Sequence, residues 1–225
     1  MAVAYGGLLG SVTGSASTLT TTSATLPTGA YAIATWAGSQ SAFAPTIADS
    51  AGGTWVAIQT PTAGANPQAG YATWIRTTVG TGTAFTVTAS IASARSQSLA
   101  VTYWTGTNGT YSAVTTGTGT TAYPSVVTST SNGVGDMFIG VGAGVNTTST
   151  TATASTGFTL AVSQAGTSPS FSCPSVEYQL ATGSGQTKTA SFTAVTGTTG
   201  TRVSTFVLRA SSYPNTPFVG WGMRL

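Results

Sequence analysis

Histidine is absent from this sequence, and ionisable groups of every kind are scarce. Charged residues make up 4%, against roughly a quarter in an average soluble protein. Without histidine, Ser-His-Asp and Cys-His nucleophiles are out of reach, and the commonest metal ligand is missing. The acids number three: Asp49, Asp136 and Glu177. Glycoside hydrolysis needs two facing carboxylates. Asp49 falls in a turn of the first half and Asp136 at a strand start in the second, so a pair would have to form across the halves. No acid cluster offers calcium its oxygens, and no Gly-rich stretch joins a strand to a helix to cradle phosphate. The reading is a protein that is not an enzyme and uses neither cofactor nor metal.

The six cations are Arg76, Arg95, Lys188, Arg202, Arg209 and Arg224. They are dispersed, so no stripe can follow a phosphate backbone, and no nucleic-acid partner is expected. Cys173 is alone, which excludes an intrachain disulfide and leaves an intermolecular bridge or, as the expected reading, a small buried hydrophobe. No apolar run approaches the ~20 residues that cross a bilayer, so membrane insertion is not expected. The opening, Met1 to Gly7, lacks the basic region and apolar length of a signal peptide. The expectation is synthesis in a host cytoplasm without a signal, followed by a location that faces outside, as in a virion.

Hydroxyls, glycines and small apolar residues fill the space left by charge. Hydrophobic residues reach 40%, enough for a core. A surface hydrated by Thr, Ser, Gly, Asn and Gln provides little repulsion between copies. Two readings stand: a low-charge extracellular protein, or a subunit made for assembly with copies of itself, threefold symmetry included.

Short runs of β-branched and aromatic residues, each closed by turn residues, predict antiparallel strands. They are clearest at Thr54–Ile58, Tyr71–Thr77, Thr83–Thr88 and Ser98–Trp104. Ala30–Trp36 is nearly unbroken apolar, as in a strand buried on both faces. Asp49-Ser50-Ala51-Gly52-Gly53 predicts a turn in which Asp49 accepts backbone N–H bonds. The pattern returns in weaker form at Asp136–Val141, Gly157–Val162, Val176–Leu180, Thr189–Ala194 and Val203–Leu208. Matched strands are offset by about 105 residues throughout, as tandem duplication predicts and a solenoid of ~20–50-residue repeats does not. No sustained helical period occurs, and the Thr and Gly content opposes one. The predicted fold is all-β: two tandem related antiparallel β-sandwich modules of jelly-roll or immunoglobulin-like type. The expected divisions are an N-terminal arm (1–14), module 1 (15–106), a linker (107–121), module 2 (122–210) and a C-terminal arm (211–225).

Of the five tryptophans, Trp36, Trp55, Trp74 and Trp104 lie in module 1 strand runs and Trp221 near the end. Aromatic platforms bind sugars, but indoles inside strands are more often core. The last stretch carries Tyr213, Pro214, Pro217, Phe218, Trp221 and Leu225. Its prolines keep it extended. Its apolar side chains require a docking surface, either on its own module or as an anchor in a neighbour. These six residues are the expected assembly interface.

Asp49-Ser50-Ala51-Gly52-Gly53-Thr54-Trp55 resembles the D-S-A-G-N-T-W/Y turn of Thr/Ala/Gly-rich β-sandwich proteins of tailed bacteriophages. Ser98-Leu99-Ala100-Val101-Thr102-Tyr103-Trp104-Thr105-Gly106 is similar to their closing strand, L-A-V-x-E-Y-x-G, with Thr102 in place of Glu and Gly53 in place of Asn. The resemblance spans about residues 15–210. It implies a virion structural protein, as a minor tail or tail-tip component or else a capsid decoration protein. Its partners would be copies of itself and other virion proteins. A glycan-binding adhesion module that contacts the host surface is the alternative.

Overall fold

A computed structural model describes residues 1–39, 43–65, 69–146, 151–165, 171–193 and 198–211. The first half carries β1 (Ala4–Thr20), β2 (Ala24–Thr25), β3 (Tyr31–Gly38), β4 (Thr46–Asp49), β5 (Trp55–Thr62), β6 (Gly70–Arg76), β7 (Ala84–Phe85) and β8 (Val87–Thr105). The second carries β9 (Thr107–Tyr111), β10 (Thr115–Gly119), β11 (Val126–Val127), β12 (Met137–Asn146), β13 (Thr159–Ser163), β14 (Phe171–Leu180), β15 (Thr189–Ala190) and β16 (Thr198–Ala210). Among the described residues there is no helix.

The protein is all-β and consists of two tandem related antiparallel β-sandwich modules. In the first, a six-stranded sheet runs β1-β8-β3-β6-β5, with β4 also on β8. The second repeats it as β10-β16-β12-β14-β13, with β9 also on β16. Each sheet has a two-stranded ribbon of its own, β2-β7 in module 1 and β11-β15 in module 2. The copies therefore correspond in their main strands, with β9 and β10 together in the place of β1 and the Thr153–Thr193 bridge in the place of β4. β5 and β13 open at Trp55 and Thr159, and β7 and β15 at Ala84 and Thr189, each pair about 105 residues apart.

Strand alternation divides the apolar side chains between two layers. In β3, Ala32, Ala34 and Trp36 face the ribbon side, where they pack with Leu26, Trp74, Phe85 and Leu99. Ile33 and Ala37 face the other way, into a cluster that both modules build. There Tyr71, Ile75 and Trp104 of module 1 meet Ile139, Val141, Val176, Phe206 and Leu208 of module 2. The two main sheets are thus pressed together along one buried face. On the far side of module 2, Tyr123, Val126, Ala190, Phe192 and Val203 form the smaller ribbon core.

An aromatic cluster fastens the seam. The Tyr5 and Trp104 rings lie 5.2 Å apart, and Trp104 meets Tyr178 of module 2 edge-on at 5.6 Å. The Tyr5 hydroxyl donates to the Ala161 carbonyl of module 2 (3.1 Å). Such ring pairs add about 0.5–1.5 kcal/mol each beyond area burial.

Two stretches carry more structure than their sequence predicts. Residues 4–20, which include most of the stretch read as an arm (1–14), form one long strand along β8 with three register shifts. Gly6 permits this, because a Cβ there would strike the Tyr103 ring. Residues 107–121, which read as a linker, hold β9 and β10, both paired to β16. Their Gly/Thr composition conceals strand character that the β16 edge supplies through tertiary pairing.

Candidate functional site

All three carboxylates are committed to the protein's own backbone and side chains. Asp49 ends β4, and its Oδ1 accepts the N–H groups of Ala51 and Gly53, both at 2.9 Å. This is the expected Asx-type turn. Its Oδ2 accepts from the Trp55 indole N–H (2.8 Å) and from Arg76 Nε (2.8 Å). The pair is enclosed, with side-chain exposures of 6% for Arg76 and 0% for Asp49. Burial by itself would raise the Asp49 carboxyl. The bonds from Arg76, Gly53 and Trp55 and the Arg76 charge outweigh it and hold the group below the usual carboxylate range. Gly53 is required here because any Cβ would displace the Arg76 guanidinium.

Asp136 precedes β12 and closes the other end of module 2. Its carboxylate accepts from the Asn132 N–H (2.8 Å), the Ala210 N–H (2.9 Å) and Arg209 Nη1 (2.9 Å). Burial raises this carboxyl too, and these partners again bring it below its ordinary value. Glu177, in β14, is fully buried. It accepts the Ser155 N–H (2.7 Å) and the Ser155 hydroxyl (2.8 Å). Here burial wins and the carboxyl is raised, with Ser155 and the Ser191 N–H only partly offsetting it.

Asp49 and Asp136 are therefore held in separate ion pairs, one per module, and do not face each other as an acid–base pair would. Among the described residues, no three metal-ligating side chains come together. The sequence pointed to Asp49 as a turn residue. Nothing in it marked Arg76 and Arg209 as the partners, since both pairings join residues far apart in the chain.

Trp36, Trp74 and Trp104 are buried core residues, as their strand positions suggested. The Trp36 indole donates to Gln97 Oε1 (2.7 Å), and Gln97 in turn donates to the Ala16 carbonyl (2.7 Å). These three indoles offer no open face to a sugar. Trp55 is half-buried against Asp49.

Tyr213, Pro214, Pro217, Phe218, Trp221 and Leu225, the expected assembly interface, lie outside the described residues. The last described residue, Ser211, borders an open groove of about 610 Å³. Met1, Ala2, Val134, Gly135 and Asp136 also line it. Met1 and Val134 are 63% and 74% exposed, the two highest values among the exposed large apolar side chains of the described residues. The groove is pinned by three bonds: Met1 N to the Ser211 carbonyl, Val3 N–H to the Gly135 carbonyl, and Ser211 N–H to the Gly106 carbonyl. It is the candidate docking face.

Set against known proteins, the chain matches no family model, no curated protein and no solved structure.

Proposed function

We propose that this chain is a non-enzymatic structural protein of a bacteriophage virion, a minor tail or tail-tip component, held to its neighbours through the segment that follows Ser211. One observation carries the reading. All three acidic side chains are spent on internal ties, two of them to Arg76 and Arg209, and the exposed apolar residues Met1 and Val134 line the groove at Ser211, which Tyr213, Phe218 and Trp221 follow in the sequence. Charge invested in rigidity with almost none left at the surface suits a subunit that is permanently covered by others. The phage-like turn Asp49–Trp55 supports the same reading, because Asp49 ties it into one hydrogen-bonded unit with Gly53, Trp55 and Arg76.

Deleting residues 212–225 tests it. The truncated protein is expected to stay folded and soluble and to fail to join particles. Normal incorporation would contradict attachment through this segment. Labelling intact particles then fixes the position: signal at the tail tip supports the proposal, and signal over the head favours capsid decoration.

A further inference from the structure

A second feature of the seam is a basic residue with no acid to meet it. Arg202 lies in β16, in register with Ala143 on one side and Thr118 on the other. Its Nε is buried and has no hydrogen-bond partner among the described residues. The chain has three carboxylates, and Arg76, Arg209 and Ser155 already occupy them. Among the described residues no carboxylate pairs with Arg202. Burial disfavours its charged form, yet a guanidinium stays protonated in proteins. Arg202 is half-buried, and a buried guanidinium N–H without a partner is costly unless an acceptor reaches it.

The geometry supplies a place for one. Arg202 opens onto a partly enclosed pocket of about 50 Å³ lined by Gln59 and Tyr71 of module 1 and by Thr116, Thr118 and Ser204 of module 2. Every one of these side chains carries a hydrogen-bonding group. Their positions are fixed from within. Thr73 Oγ1 donates to the Tyr71 hydroxyl (3.1 Å), and Ser204 Oγ donates to Gln59 Oε1 (3.2 Å) across the seam. A water needs about 10–15 Å³ of such space. The pocket therefore has room for a halide or a single carboxylate group and none for a sugar or nucleotide.

We propose that this pocket binds a small monovalent anion, a halide or a formate-sized carboxylate, which neutralises Arg202 and clips module 1 to module 2. The test is thermal unfolding of the full chain at constant ionic strength as sodium methanesulfonate is exchanged for sodium chloride. The wild type is expected to gain about 3 °C or more, saturating with chloride, and Arg202→Gln is expected to gain nothing. An equal response in both proteins, or none in the wild type, overturns the proposal. Crystals grown in sodium bromide give a readout that does not depend on whether the variant folds. An anomalous peak within hydrogen-bonding distance of Arg202 Nε supports the site, and an empty pocket at saturating bromide refutes it.

Discussion

The two modules share a strand plan and fill it differently. Pairing register places Trp36 of module 1 where module 2 has Gly142, Trp74 where it has Glu177, and Trp104 where it has Leu208. In module 2 the volume that Trp36 occupies is taken from the other side. Phe192 and Tyr123 lean over Gly142 so closely that a Cβ there would collide with Phe192 and crowd Tyr123. The polar locks diverge too. Gly53 sits beside Arg76, and its counterpart Gly157 sits beside Gln179. Asp49 bridges to Val87, while Thr153 in the matching place bridges to Thr193. Module 1 locks its turn with a buried ion pair, and module 2 locks its opposite end with Asp136 and Arg209. The fold thus requires the shared face and the ribbon, and leaves each copy to fill its outer core in its own way.

The comparison can be broken first at the shared core. Trp104→Ala should cost about 3–5 kcal/mol, and Leu208→Ala at the matched position about 2–5 kcal/mol. Chemical denaturation would check both. If Leu208→Ala cost little, the two copies would not contribute equally to the seam. The turn locks come next. Asp49→Asn leaves Arg76 buried without its counterion and should cost about 3–5 kcal/mol. Thr153→Ala, at an exposed site, should stay within about 0.5 kcal/mol. Similar losses at both sites would mean the ion pair adds nothing specific to module 1.

The smallest effect concerns pH. The Asp49 and Asp136 carboxyls lie below their ordinary value when folded, so their contribution is present above the unfolded carboxylate pKa and is lost as pH falls through the folded one. Glu177 has the opposite sign. Its folded carboxyl is raised, so its contribution is full below the ordinary glutamate range and declines as pH rises from there through the folded value. Glu177→Gln, which cannot ionise, should therefore gain stability relative to the wild type between acid and neutral pH. Denaturation midpoints of the two proteins across that window would check this. A constant difference between them would show that folding leaves the Glu177 carboxyl where it lies in the unfolded chain.

Much of the fold was legible because strand alternation and turn residues are local signals. Ala30–Trp36 read as doubly buried and is. The offset of about 105 residues was visible because apolar runs recur even where individual residues do not. The strands within 107–121 were hidden, since Thr-Gly sequences pair only where a neighbour offers an edge. The packing of the two main sheets on one another was hidden as well, because alternation shows that a face is apolar and not what it meets. At the candidate site, Asp49 announced its turn, but the distant partners Arg76 of Asp49, Ser155 of Glu177 and Ala210 of Asp136 lie 22 to 74 residues away. Pairings over such distances are set by the register of folded sheets.

Differential scanning calorimetry of the wild type beside Phe206→Ala bears most directly on the claim that the duplicated modules are joined through one core. Phe206 belongs to module 2 and is fully buried in the shared cluster. The account predicts a single transition in both proteins, with matching calorimetric and van't Hoff enthalpies and the whole transition lowered in the variant. Two transitions, with the module 1 transition unmoved by the substitution, would contradict it.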